Sequence, residues 1–128
     1  MQLLIPISVG ELIDKITILK IKQSKASDTE KLANVNRELN ELDSTWNKNK
    51  APDLDISDLI SQLTSVNEKL WDIEDQIRAK EADNSFDQEF IELARSVYKQ
   101  NDLRAALKKE INMRSGSTLV EEKLYQEY

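Results

Sequence analysis

The sequence predicts an all-α fold, an antiparallel helical bundle of four main helices with a short extended N-terminal arm and a short C-terminal tail helix. Three observations carry that prediction. Ser/Thr-x-x-Glu/Gln capping patterns open four stretches of the chain. Apolar residues recur through these stretches at alternating steps of three and four. Both prolines, Pro6 and Pro52, fall outside them. With 128 residues and 39% hydrophobic content there is material for one modest core, so residues 1–128 form a single helical-bundle domain.

The arm, Gln2 to Ile7, is extended, either as a lone strand or as a packed arm, and Pro6 confines it to an edge. The pattern Ser8 to Glu11 starts a helix near 9–25, and Ser27 to Glu30 starts one near 29–49. Pro52 cannot continue that second helix, so a third begins near Asp55 to Ser57 and runs over 56–82. Ser85 to Gln88 opens a fourth over 87–113, and Thr118 to Glu121 opens the tail. The linkers at 26–28 and 83–84 are short enough to make consecutive helices antiparallel neighbours.

Helix two carries Leu32, Val35, Leu39, Leu42 and Trp46, and helix three carries Leu59, Leu63, Val66, Leu70, Ile73 and Ile77. Both are coiled-coil-like seams with wet outer faces. Helix one differs: Val9, Leu12, Ile13, Ile16 and Leu19 make one stripe, while Ile18 and Ile21 point nearly the opposite way. Two apolar faces need two partners. The bundle supplies one, and the other is the N-terminal arm, the C-terminal tail or a second copy of the chain; the last is favoured, which makes Ile18 and Ile21 a candidate homodimer interface.

On helix four, Asn101, Arg104 and Lys108 fall on the stripe defined by Phe86, Phe90, Leu93, Val97 and Ile111. Asn67, Glu74 and Glu81 lie on or beside the seam of helix three, and Lys20 and Gln23 do so on helix one. A hairpin turning near Asn84 brings Asn67 level with Asn101, and Glu74 level with Arg95 and Tyr98. Two readings follow. In one, these groups form a buried network that fixes helix register. In the other, Asn67, Glu74, Tyr98, Asn101, Arg104, Lys108 and Lys20 line a polar pocket in which the cations hold a phosphate or carboxylate.

Residue types exclude several chemistries. The chain has no Cys and no His, which removes thiol catalysis, disulfides, ordinary zinc sites and Ser-His nucleophiles. Neither glycine, Gly10 or Gly116, lies in a phosphate-wrapping run. No cofactor is expected. Pairs such as Glu11/Asp14, Glu38/Glu41, Asp72/Asp75 and Glu89/Glu92 have magnesium-binding spacing, but 24 acids in 128 residues produce such pairs by chance, and solvated faces explain them.

The net charge is −6, and residues 68–92 hold nine acids against three bases while residues 95–114 hold six bases against two acids. Six bases without interleaved aromatics are a weak footprint, so no nucleic-acid partner is expected. The longest apolar run, Leu3 to Ile7, is too short to span a bilayer, so no membrane partner is expected. A secretory pattern is not visible, and the expected location is cytoplasmic.

The segments ISVGELIDKITILKIK, KLANVNRELNEL, LWDIEDQIRAKE, FDQEFIELARSVYKQNDLRAALKKEIN and GSTLVEEKLY span nearly the whole chain. Through them it resembles an uncharacterised family of small all-helical bacterial proteins, sometimes found with surface-polysaccharide glycosyltransferases. That resemblance implies no catalytic residue or cofactor and only an association with glycan or nucleotide-sugar pathways. The function expected is a non-catalytic helical interaction module forming a homodimer, with a protein partner open. The alternative is a binding protein or enzyme for an anionic small molecule, such as a nucleotide sugar or phosphometabolite, using the helix three and four cluster.

Overall fold

The computed structural model describes residues 1–128 and contains four helices and no strand. Helix α1 spans Val9–Lys25, α2 Thr29–Asn49, α3 Ser57–Ala82 and α4 Gln88–Ser115. Helix α1 packs against each of the other three, and α3 packs on α4, an arrangement compatible with a bundle.

Each boundary has a local cause. Ser8 caps α1 as its capping pattern predicts, its hydroxyl accepting from the Glu11 N–H. At α2 and α4 the cap is one or two residues further on: Asp28 accepts from the Lys31 N–H, and Asp87 from the Phe90 N–H. A carboxylate at these positions also meets the positive end of the helix dipole, which a hydroxyl does not. Asp55 accepts from both the N–H and the hydroxyl of Ser57, fixing the chain just before α3.

The tail differs from expectation. Helix α4 ends at Gly116, whose φ of 66° is left-handed, and the Ser117 N–H bonds back to the Asn112 carbonyl. Beyond it no helix forms. Ser117 accepts from the Val9 N–H and donates to the Leu119 carbonyl, and the Glu121 side chain, which the pattern Thr118 to Glu121 turns back to its cap, goes to Lys108 instead.

The core is Leu12, Ile13, Ile16 and Leu19 of α1, Leu39 of α2, Ile56, Leu59 and Leu63 around the start of α3, and Ile111 of α4. Helix α1 is the central element, and this explains its two apolar faces. Ile21 is 5% exposed within a single chain, so that part of the second face is already covered; Ile18 is half-buried. Two helix ends meet at each end of the α3–α4 pair: Lys80 binds Asp87 and Glu89, and Arg114 binds Asp58. These two helices outrun α1. They have 26 and 28 residues, about 40 Å each, against 17 residues in α1. No residue from Glu74 to Leu107 is buried, so the far part of the pair has only half-covered packing.

Candidate functional site

The chain's buried polar groups meet where the first half of α1 crosses α3 and α4. Asp14, Thr17, Asn67, Lys108 and Asn112 are all 6% exposed or less. Asp14 faces inward because residues 14, 17 and 21 share one stripe of α1. Its Oδ1 accepts from the Asn67 amide at 2.9 Å, and its Oδ2 lies 3.2 Å from an Arg104 guanidinium nitrogen. The same Asn67 amide donates to the Thr17 hydroxyl at 2.9 Å, and that hydroxyl donates to the Asp14 carbonyl at 2.7 Å.

One turn further along α4, the Lys108 ammonium sits among three carboxylates. It donates to Glu11 at 2.6 Å and to Glu121 of the tail at 3.2 Å, and it lies 3.9 Å from Asp14. Burial alone pushes the Lys108 pKa down, but the bond to Glu11 and the charges of Glu11 and Asp14 outweigh it and hold it above its ordinary value. Burial likewise pushes the Glu11 carboxyl up, and the bond and charge of Lys108 outweigh it, leaving the group below its ordinary value. The pair is ionised across the neutral range.

A second set of bonds closes the start of α1. A helix leaves its first N–H groups without internal partners. Here Val9 donates to Ser117, Gly10 to Asn112 at 2.6 Å, and Glu11 and Leu12 to Ser8. Gly10 is required by this approach: a Cβ there would stand 2.5 Å from the Lys108 carbonyl oxygen and 2.9 Å from the Asn112 side-chain oxygen. No buried side-chain nitrogen or oxygen is left without a partner.

Of the residues the sequence singled out, Asn67, Arg104 and Lys108 come together, and Asn101 joins at the edge with its oxygen 3.5 Å from Arg104. Asn67 does not meet Asn101; it faces Asp14 and Thr17 on α1. Glu74 is solvent-exposed and pairs with Arg78, not with Arg95 or Tyr98. Tyr98 is 43% exposed and stacks edge-on against Tyr128, their centroids 5.1 Å apart. Lys20 is exposed, and the cluster's ion pairs are made by other residues. Glu74, Tyr98 and Lys20 therefore leave the candidate site. The physical reason is that α1, not the α3–α4 pairing, supplies the partners. Sequence reasoning missed Thr17, Asn112 and Glu121, and it read the Glu11/Asp14 pair as a solvated face, whereas Asp14 is 1% exposed and Glu11 binds the buried Lys108. For Asp14 and Thr17 a signal existed, since they share the stripe of Ile21.

A groove of about 540 Å³ adjoins the cluster, with Asn101, Arg104, Ala105 and Lys108 on one wall and Glu121 to Tyr125 of the tail on the other. Its cations are already matched: Arg104 by Asp14, Lys108 by Glu11 and Glu121, and Lys123 by Asp102. Glu11, Asp14 and Glu121 converge on the ammonium, and no group of three or more carboxylates converges as a metal-binding set. No helix is long and apolar enough to cross a membrane. No curated protein and no solved structure matches the chain. A family model matches residues 3–128, and by it the chain belongs to the family of unknown function DUF6165.

Proposed function

We propose that the chain is an antiparallel helical-bundle module that works through protein contacts, not catalysis, and that pairs with a second copy of itself. The observation that carries this reading is the arm. Leu3, Leu4 and Ile5 are 78%, 90% and 73% exposed, and residues 1–7 make no backbone hydrogen bond. Leaving three successive aliphatic side chains in water forgoes about 1.5–3 kcal/mol each relative to burial.

A groove of about 740 Å³ begins where the arm ends, lined by Ile7, Val9, Leu12, Trp46 and Leu54. An arm from a second copy seated there covers both apolar surfaces, and the two-fold relation makes the exchange reciprocal. The polar cluster supports the non-catalytic half of the reading, because its charged groups are matched to one another across α1, α4 and the tail. Such networks are best attested as devices that fix helix register.

Sedimentation velocity tests the pairing. The weight-average mass should rise from 14.8 kDa toward twice that value with concentration, and Leu3→Ser, Leu4→Ser and Ile5→Ser together should hold it at the monomer. A wild-type chain that stays monomeric at every concentration contradicts the reading.

A further inference from the structure

One hydroxyl ties the root of the tail to the base of the arm. Ser117 accepts from the Val9 N–H at 3.1 Å and donates to the Leu119 carbonyl at 2.7 Å. On the other flank Glu121 meets the Lys108 ammonium at 3.2 Å, and that ammonium is itself held to Glu11 of α1 at 2.6 Å. Residues 118–128 make no backbone-to-backbone hydrogen bond. Leu119 and Val120 are therefore placed by two side-chain ties, one on each side of them. They are 45% and 38% exposed, whereas Leu124 and Tyr125 further along are 91% and 83%. A cleft of about 400 Å³ separates this root from the arm, lined by Ile5, Pro6 and Ile7 and by Leu119 and Val120.

The cleft adjoins the groove beside Trp46, since Ile7 and Ser8 line both. Leu3, Leu4 and Ile5 each carry about 60–120 Å² of surface that burial removes from water, together less than half of the about 800 Å² that each partner gives to a stable interface. A pairing surface of stable size must reach past those three side chains. The tail root is apolar and continuous with them through Ile5 and Ile7. An extended arm of five residues spans up to about 17 Å, enough to cross the wall that the two grooves share. Resting on the reading that a second copy's arm fills the Trp46 groove, we infer that its seat continues over Ile7 into the cleft, where Leu119 and Val120 form the outer wall and the Glu121–Lys108 bond is the latch that holds this wall in place. The occupant is the second copy's arm because that segment has the matching chemistry, aliphatic at three successive exposed positions and free of backbone hydrogen bonds. The two-fold relation supplies it to both copies. An ionic tie between the tail and α4 thereby governs an apolar contact between chains.

Sedimentation velocity of the full chain and its variants, each checked for helix content by circular dichroism, tests this. Leu119→Ser with Val120→Ser should weaken self-association by at least about 10-fold. Leu119→Ile with Val120→Ile keeps the wall apolar and should pair within about 2-fold of the wild type. Glu121→Gln unfastens the latch and should weaken pairing by about 3-fold. Leu124→Ser with Tyr125→Ser, in the tail beyond the cleft, should leave pairing unchanged. A wild type that pairs and is made monomeric by Leu3→Ser, Leu4→Ser and Ile5→Ser, while the Leu119→Ser, Val120→Ser chain pairs undiminished, overturns the inference and leaves self-pairing through the arm standing. Equal losses from the two serine pairs also overturn it, since the effect would then belong to the tail as a whole. Undiminished pairing of Glu121→Gln contradicts the latch. A wild type that is monomeric at every concentration removes the inference together with the reading on which it rests.

Discussion

Asp14 of α1 lies 3.2 Å from Arg104 of α4 while its other carboxylate oxygen accepts from Asn67 of α3. One side chain thereby ties three helices at a single level. A one-residue slip of any of them separates the partners, so the interaction specifies register more than it adds net stability.

Asn67 is the test of how closely that level is specified. Asn67→Leu removes the amide that serves both Asp14 and Thr17, and its cost is predicted at about 1–3 kcal/mol. Asn67→Asp costs more at neutral pH because it sets a second carboxylate against Asp14. Urea unfolding at about pH 7 and about pH 4 checks this, and the gap between the two variants should narrow in acid.

Glycine substitutions should separate two causes. Gly10→Ala forces a Cβ to 2.5 Å from the Lys108 carbonyl oxygen, and since that oxygen is backbone and cannot swing aside, about 1–3 kcal/mol or more is lost. Gly116→Ala meets no atom but holds a φ of 66°, which costs about 1–2 kcal/mol. Only Gly10→Ala should also shift the side-chain amide resonances of Asn112, whose oxygen accepts from the Gly10 N–H, as read by NMR.

Acid should weaken the fold partly through Glu11. Its carboxyl lies below its ordinary value of 4.5 in the folded chain despite burial, chiefly because of Lys108. That contribution is fully present above 4.5 and is lost as pH falls through the folded value. Lys108 is raised above 10.5, so its share is present below 10.5 and is lost as pH rises through its folded value. Glu11→Gln should therefore lose less stability than wild type between about pH 7 and about pH 3, measured by urea midpoints.

The outer part of the α3–α4 pair should open before the rest. From Glu74 to Leu107 no residue is buried, whereas Leu63 and Ile111 are 0% exposed. Hydrogen exchange should show amides of residues 75–96 opening at free energies well below the global value, with those near Leu63 and Ile111 the slowest.

Helix existence was legible in the sequence because periodicity and capping are local, and observed boundaries lie within two residues of those expected. The caps themselves moved from Ser27 and Ser85 to Asp28 and Asp87, since several adjacent polar residues compete for one position. The inward turn of Arg104 and Lys108 was also legible from the stripe of α4. Their partners were not. Spacing within a helix says which residues share a face, but which faces meet is decided by tertiary packing, and pairing α3 only with α4 wrongly drew Glu74 and Tyr98 into the cluster. The tail eluded the reading for a related reason. A capping pattern at Thr118 is a local preference, and the Lys108 ammonium offered Glu121 a partner from outside the segment.

The most direct measurement of the central claim is a double-mutant cycle between Asp14→Ala and Arg104→Ala, read by urea unfolding with folded baselines checked by circular dichroism. A coupling of at least about 1.5 kcal/mol is predicted if the two side chains act as one tie between α1 and α4. A coupling below about 0.3 kcal/mol, with the two single effects simply additive, would contradict it.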